Sequence, residues 1–198
     1  MFDSLEFIRR NLNEFFLRDP GRIDPETDGE PIVLDNISNF EEANFEGRNK
    51  MVMSLVNIEE ESTRKNSKPY QKTNGETEYR NPPVILNLYV LFSANMNSYE
   101  MGLRALSRLV AFFQGRNTFS YSEMPVPESR LEGQDRDNLR LIFDLYTLTF
   151  EQINHLWGSL GGKQRPFAMY KVRVVPIRYD HLLDAGSVIE RVRNDTAG

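Results

Sequence analysis

The chain has 198 residues, enough for one domain of ordinary size with its own apolar core. It contains no cysteine, which excludes disulfides, thiolate nucleophiles and metal sites built on cysteine. Its formal net charge of −5 argues against nonspecific nucleic-acid binding, and no apolar run reaches the roughly 20 residues of a membrane-spanning helix. We therefore expect a protein that folds in the cytoplasm, with no nucleic acid as partner and no direct membrane insertion.

The N-terminal part of the chain is predicted to contain one helix and three strands. Before Asp19, apolar residues recur at the spacing of an amphipathic helix, namely Leu5, Ile8, Leu12 and Phe15. A short strand is expected over Pro31–Ile37, and longer ones over Lys50–Ile58 and Val84–Ala94. Both longer strands carry apolar residues on both faces, which predicts central strands covered on two sides. In the first of these, one face is predicted to consist of Met51, Met53 and Leu55, and the other of Val52, Val56 and Ile58.

A second helix is predicted over Asn97–Gly115, after a long polar loop at Glu59–Pro83. Asn97 and Glu100 have the spacing of a capping box, and Gly115 suits the C-terminal end of a helix. The buried stripe of this helix is expected to consist of Tyr99, Leu103, Leu106, Leu109, Val110 and Phe113.

Two further strands are predicted after this helix. A short one is expected around Phe119 and Tyr121, and a longer one over Leu139–Thr149. Between them lies a second polar loop, Glu123–Asn138, which contains prolines and several charges.

A third helix and a last strand complete the pattern. Thr149 and Gln152 have capping-box spacing, and the glycine pair at 161–162 is expected to end the helix. Its apolar face is formed by Ile153, Leu156, Trp157 and Leu160. A strand over Ala168–Ile177 follows, and then a charged tail.

The order α-β-β-β-α-β-β-α-β predicts an α/β (α+β) fold with a central mixed β-sheet, flanking helices and long polar loops. Residues 1–177 are expected to form a single domain, and residues 178–198 a charged C-terminal tail.

No motif in the chain predicts catalysis. His155 and His181 lack the partners of a metal or catalytic motif. The glycines at 158, 161 and 162 follow a helix and lack P-loop spacing, so a helix end and a turn explain them better than phosphate binding does. We expect no catalytic residue, no cofactor and no metal.

Four blocks of sequence occur in order along the chain: Met53–Glu61 (MSLVNIEEE), Asn81–Ala94 (NPPVILNLYVLFSA), Leu106–Gln114 (LSRLVAFFQ) and Leu148–Lys163 (LTFEQINHLWGSLGGK). Pro166 and the stretch Tyr170–Arg173 follow the fourth block. Together they closely resemble the N-terminal domain of the cap, or tail-terminator, proteins of phage-tail-like contractile injection systems. The resemblance extends over about Phe2–Ile177.

The resemblance implies a structural protein with an α/β fold and no catalytic residues. It implies a ring, a homohexamer, that sits on the end of the inner tube, contacts the last sheath ring and stops the growth of both. The expected partners are therefore other copies of this chain, the inner tube protein and the sheath protein. The expected location is the cytoplasm, within an assembled particle that is later released or anchored.

Ten residues are candidate contacts for such partners. In the basic part of the first polar loop, interpreted as a protein-contact arm, they are Arg64, Lys65, Lys68 and Tyr70. In and after the third helix they are His155, Trp157, Lys163, Arg165, Lys171 and Arg173. Trp157 is a candidate for either an interface or a core residue, and the core role is favoured because Trp157 shares a helix face with Ile153 and Leu160.

Two other functions stay open at this stage. One is an adaptor that tethers the injection machine to another cell component through the charged tail. The other is a small enzyme whose site uses His155.

Overall fold

The computed structural model describes residues 2–18, 29–42, 45–61, 70–73, 76–79, 84–120, 123, 140–161, 163–177 and 184–186. Its helices are Phe2–Arg18 (α1), Tyr99–Gly115 (α2) and Phe150–Ser159 (α3), with a short 3-10 helix at Ile37–Asn39. Its first five strands are Ile32–Leu34 (β1), Lys50–Glu60 (β2), Tyr70–Thr73 (β3), Glu76–Tyr79 (β4) and Val84–Asn95 (β5). The remaining four are Thr118–Ser120 (β6), Arg140–Leu145 (β7), Phe167–Ile177 (β8) and Asp184–Gly186 (β9).

Six strands form one sheet in the order β1-β2-β5-β8-β7-β6. β1 and β2 are parallel and the other neighbours are antiparallel, so the predicted mixed sheet with flanking helices is confirmed. β1 is shorter than predicted, because Asn36 turns the chain into the 3-10 helix by accepting a hydrogen bond from the Ser38 amide.

A second, three-stranded sheet has the order β3-β4-β9. The segment Glu59–Pro83, predicted as a polar loop, thus contains the β3–β4 hairpin. β9 lies beyond residue 177 and pairs with β4 through Thr77, Glu78 and Tyr79. The division into a domain and a tail at that residue stays a prediction.

The six-stranded sheet is covered on both faces, as predicted for its central strands. On one face α1 and α2 pack over Val90 and Phe92 of β5, and Phe113 of α2 stacks on Phe143 of β7 at 4.6 Å. On the other face α3 packs over Leu91, with Trp157 buried among apolar side chains. Because neighbouring residues of a strand point to opposite faces, α2 and α3 lie on opposite sides of the sheet.

The buried face of α2 differs from the prediction. The residues that are buried are Gly102, Ala105, Leu109 and Phe113. Leu106 is partly buried beside them, whereas Tyr99, Leu103 and Val110 are exposed. A Cβ atom at Gly102 would lie 3.4 Å from the Ala94 side chain, which shows how closely the helix approaches the sheet. Leu109 and Phe113 thus contact the sheet as predicted, but the first half of the helix uses the small residues Gly102 and Ala105, and part of the bulky stripe faces outward.

Of the two capping boxes predicted at helix starts, one is present and one is not. α3 has the predicted capping box, since the Thr149 hydroxyl accepts from the Gln152 amide and the Gln152 side chain accepts from the Thr149 amide. The box predicted for α2 at Asn97 and Glu100 is wrong. The N-cap of α2 is Ser98, which makes no capping hydrogen bond with its side chain, and the Asn97 amide instead donates to Asn49.

A β-bulge in β2 changes which way its side chains point. Leu55 pairs with Val90 of β5, but Asn57 pairs with Tyr89, so Val56 is an extra residue. Beyond a bulge the alternation of side chains shifts by one position. The prediction that Ile58 shares a face with Val52 is therefore wrong, and Glu59 points to the same side as Tyr89.

Candidate interaction surfaces

On the α3 side of the sheet, apolar packing gives way to polar side chains at Tyr89. We define the charged sheet patch as Glu59, Tyr89, Asp144, Lys171 and Arg173, which come from four neighbouring strands. Tyr89, Lys171 and Asp144 lie side by side in the strand register. The β2 bulge brings Glu59 to this row, so the fold assembles the patch from residues far apart in sequence.

Three of these side chains form a connected group. The Tyr89 hydroxyl donates to the Glu59 carboxylate at 2.6 Å, and the Lys171 ammonium lies 3.5 Å from the same oxygen. That ammonium also lies 5.5 Å from the centroid of the Tyr89 ring, within the range of a cation–π interaction. The ring itself packs edge to face on Tyr146 at 5.0 Å, which fixes its orientation.

These contacts shift the pKa of each member. The hydrogen bond from Tyr89, together with the charge of Lys171, lowers the pKa of Glu59. The same hydrogen bond, aided by burial, raises the pKa of Tyr89. Burial lowers the pKa of Lys171, but its bonds to Tyr89 and Glu59 outweigh burial, so that pKa is raised. All three shifts favour a charged carboxylate, a neutral phenol and a charged ammonium.

Arg173 completes the patch through an ion pair with Asp144 at 2.5 Å. Both predicted cations of β8, Lys171 and Arg173, are thus matched by carboxylates of the same chain. The four charged members have no net charge. Ion pairs with this degree of exposure contribute little to folding stability, so a partner can exchange them at small cost.

A second polar surface joins the turn after the 3-10 helix to the segment after α3. Lys163 pairs with Glu41 at 2.5 Å. Lys163 and Arg165 lie 5.2 and 5.3 Å from the centroid of the Phe40 ring. We call Phe40, Glu41, Lys163 and Arg165 the Phe40 corner. The fold therefore brings two of the predicted contact residues together around one aromatic ring.

The two predicted contact residues of α3 have opposite environments. The His155 side chain is exposed, and its Nε2 atom lies 3.8 Å from the Glu151 carboxylate one turn earlier. Trp157 is only 4% exposed and packs on Phe167 at 5.5 Å, which is the favoured core role. His155 thus faces solvent and Trp157 faces the core, although both residues lie in α3.

Several bulky apolar residues that the sequence did not single out as contacts are exposed. Phe150, the first residue of α3, is 92% exposed. Tyr99, Leu103 and Val110 form an exposed row on α2, which we call the outer flank of α2. Periodicity does not distinguish these residues from core residues, because it shows which side of a helix is apolar but not what lies against it.

The basic segment of the first polar loop is largely outside the described residues. Arg64, Lys65 and Lys68 belong to that part, as does His181 in the tail. Of Tyr70 the structure describes the backbone, at the start of β3.

Two kinds of site are absent from the part of the chain that the structure describes. No group of three or more His, Cys, Asp or Glu side chains is arranged to hold a metal ion there. None of the described helices has the length and apolar character needed to cross a membrane.

Comparison with known proteins identifies the family. The sequence model of the Pvc16 N-terminal domain matches residues 5–191. No curated protein matches the sequence. Among the solved structures that share the fold are the following two. One is the sheath/tube terminator, in its extended state, of PVC, an extracellular contractile injection system. It has a TM-score of 0.64 and 12% identity over 100% of this chain and 63% of that one.

The other structure is the cap of the anti-feeding prophage, described as the AFP tube terminating cap. It has a TM-score of 0.58 and 13% identity over 98% of this chain and 60% of that one. The chain therefore spans less than two thirds of either structure. Identities this low show only that the fold is shared. The family is shown by the sequence model, which covers most of the chain. The chain belongs to the Pvc16 N-terminal domain family, which confirms the resemblance carried by the four sequence blocks.

Proposed function

We propose that this chain ends the polymerisation of the inner tube and sheath of a contractile injection system by forming a ring on their end. The observation that carries the proposal is the likeness of the whole chain to two terminator structures, together with its family membership. The ring is a homohexamer, and its partners are the tube protein and the sheath protein. It assembles in the cytoplasm as part of the particle.

A ring subunit needs several separate contact surfaces. It binds two neighbours through different surfaces, and ring closure requires a fixed rotation between them. Further surfaces then bind the tube and the sheath. The chain offers outward surfaces on both sides of its sheet, including the charged sheet patch, the Phe40 corner and the outer flank of α2. This distribution supports an assembly role.

The proposed contact residues follow from these surfaces. Lys163 and Arg165 act from the Phe40 corner, and Lys171 and Arg173 act from the charged sheet patch. The exposed His155 and the basic segment with Arg64, Lys65, Lys68 and Tyr70 are proposed contacts of the same kind. Trp157 holds α3 on the sheet and contributes indirectly.

We also propose that the chain has no enzymatic activity. A catalytic histidine is expected to lie in a concave site beside oriented acid or base partners. His155 instead lies on an exposed helix surface with a single carboxylate 3.8 Å away.

The test is the length of particles made without this chain. In a strain that lacks the gene, negative-stain images should show tubes and sheaths with a broad length distribution and reduced stability. Supplying the wild-type chain from a plasmid should restore a single length. Particles of normal length and stability in the strain without the gene would refute the terminator role.

A matched truncation tests the adaptor alternative. The deletion should remove residues 187–198 and keep Asp184–Gly186, because β9 pairs with β4. A terminator truncated in this way should still give particles of normal length at their normal location. Normal particles that fail to localise would favour the adaptor.

A further inference from the structure

The two outer strands of the six-stranded sheet, β1 and β6, have backbone groups that point away from the sheet. In β1, the carbonyl of Pro31 and the amide of Asp35 are bonded to β2. Because backbone groups of successive strand residues point to opposite edges, those of Ile32 and Leu34 point outward. Outward groups of this kind are where a strand of another chain can be added.

The outward groups of Ile32 are occupied by a side chain of α1. The Asn13 amide group donates to the Ile32 carbonyl at 2.9 Å and accepts from the Ile32 amide at 2.8 Å. These are the two bonds that a residue of a neighbouring antiparallel strand would make. Asn13 is only 4% exposed, so both bonds are protected from water. Of the three residues of β1, at most Leu34 is left for an added strand.

α1 lies along this edge of the sheet. Arg9 comes one turn before Asn13 and forms an ion pair with Glu30. Glu30 in turn comes two residues before Ile32. Four residues of a helix rise about 6 Å and two residues of a strand about 6.6 Å, so the two contacts match in spacing. The helix therefore takes the place that a further strand would have beside β1.

The opposite edge, at β6, is occupied by a charged side chain. The Phe143 amide of β7 donates to the Asn117 carbonyl, so the backbone groups of Thr118, one residue later, point outward. The Thr118 carbonyl accepts a hydrogen bond from the Arg116 guanidinium at 3.3 Å. That guanidinium also lies 4.7 Å from the centroid of the Phe119 ring. A charge on an edge strand is a common protection against strand addition.

The outer half of β2 forms a third stretch of edge, because β1 pairs only with Met51–Met53. The bulge at Val56 interrupts the regular alternation of this stretch. Two exposed carboxylates, Glu59 and Glu60, follow the bulge. Bulges and charges both hinder the regular pairing of an added strand. Each stretch of edge thus has its own protection.

We infer that Asn13 and Arg116 keep the outer strands of this sheet closed to strand addition by other chains. The inference does not depend on the proposed ring, since it states which surfaces the folded chain does not use. An open edge would let copies add without limit, because each added strand presents a new edge. For a chain proposed to end a polymer, closed edges prevent the start of another one.

The variant Asn13→Leu tests the β1 edge, because leucine is close to asparagine in size and can make neither bond to Ile32. Hydrogen–deuterium exchange of the Ile32 amide, followed by NMR, should become roughly 10-fold faster, as expected for the loss of a buried hydrogen bond. In sedimentation velocity the wild type should form one defined species, either a single chain or a closed ring. The folded variant should form larger, open-ended species.

A second substitution distinguishes edge pairing from aggregation of unfolded chains. Leu34→Pro removes the other outward amide of β1 and spares the bonds of β1 to β2. Added to Asn13→Leu, it should restore the sedimentation of the wild type. Leu109→Ala is the control for lost stability, because Leu109 is a buried residue of α2. Measured equally far below its melting temperature, it should sediment like the wild type.

The β6 edge gives an independent test that does not disturb a buried residue. Arg116→Met keeps an apolar stem over Phe119 but removes the charge and the bond to Thr118. It should form open-ended species, whereas Arg116→Lys keeps a charge at the edge and should not.

Three results would overturn the inference. They are wild-type sedimentation of both folded Asn13→Leu and Arg116→Met, equal association of the Leu109→Ala control, and failure of Leu34→Pro to reverse the association. If Asn13→Leu does not fold, the pair of Arg116 variants decides. The length of particles is not expected to change the outcome, so the terminator role is tested separately.

Discussion

The hydrogen bond from Tyr89 lowers the pKa of Glu59, which makes the stability of the fold depend on pH in the acid range. The pKa of Glu59 in the folded chain lies below its ordinary value. A carboxylate of this kind stabilises the fold above the unfolded pKa, and that contribution is lost as the pH falls through the folded pKa.

We therefore expect Glu59→Gln to lower the melting temperature at neutral pH by a small amount, because the carboxylate is half exposed. The difference from the wild type should shrink below about pH 4.3 and vanish in more acidic solution. Calorimetry over a pH series measures it. Tyr89→Phe keeps the ring but removes the main cause of the shift, so it should reduce the same pH dependence. A difference that stays constant across the acid range would show that the Glu59 carboxylate is not stabilised in this way.

Single residues were predicted well where their surroundings are local. Thr149 and Gln152 lie three residues apart, so the sequence alone contains the capping box. Asn13 is the opposite case: it lies on the polar side of a predicted helix, yet it is buried. Its amide group both donates to and accepts from the backbone of Ile32. Such a contact depends on a strand 19 residues away, and no local pattern indicates it.

At the scale of elements, the two helix starts form a natural comparison. The Thr149 side chain of α3 caps its helix, whereas the Ser98 side chain of α2 makes no capping bond. We expect Thr149→Ala to reduce the free energy of unfolding by about 1 kcal/mol. Ser98→Ala should change it by less than about 0.5 kcal/mol.

Urea denaturation of both variants beside the wild type measures these free energies. Equal losses for the two substitutions would contradict the assignment of the caps. A loss for Ser98→Ala alone would mean that the Ser98 hydroxyl, and not the Thr149 hydroxyl, satisfies free amides at a helix start.

The elements that the sequence predicted are those with a strong local pattern, such as α3, β5 and β8. The hairpin of β3 and β4 was not predicted, because polar strands such as Glu76–Tyr79 lack apolar alternation, and β4 also pairs with β9, over 100 residues later. The buried face of α2 was predicted correctly only in part, at Leu109 and Phe113, for another reason. Apolar residues surround much of that helix, and the face chosen for the sheet is the one with small residues such as Gly102 and Ala105.

At the scale of the whole molecule, the two apolar clusters share the same strands. Val90 and Phe92 belong to one cluster, and Leu91, between them, belongs to the other. Loss of β5 from the sheet therefore exposes both clusters at once. We expect unfolding to be a single cooperative transition in the part of the chain that these clusters include.

The chain contains one tryptophan, and its burial between α3 and the sheet allows a direct test of cooperative unfolding. The fluorescence of Trp157 reports the α3 side, while far-UV circular dichroism is dominated by the longer helices α1 and α2 on the other side. The two denaturation curves should have the same midpoint. A fluorescence change that clearly precedes the loss of helix would show that α3 separates from the sheet on its own.

The fold class and the family were predictable at this scale, because the order of elements and the four blocks persist along the chain. The candidate contact surfaces were only partly predictable. The sequence identified Lys171 and Arg173, but their partners Glu59 and Asp144 come from other strands. The exposure of Phe150 depends on where α3 begins relative to the sheet, which is a property of the assembled fold.

The bulge at Val56 divides β2 into two halves with different structural roles. Residues before it pack against the helices, and Glu59 after it belongs to the charged sheet patch, so we expect substitutions on one side of the bulge to have little effect on the other side. Relatives can therefore remodel the outer half of β2 to suit a different partner while the inner half keeps the core intact. The two solved structures share this fold at only 12% to 13% identity, so the fold tolerates extensive substitution of this kind.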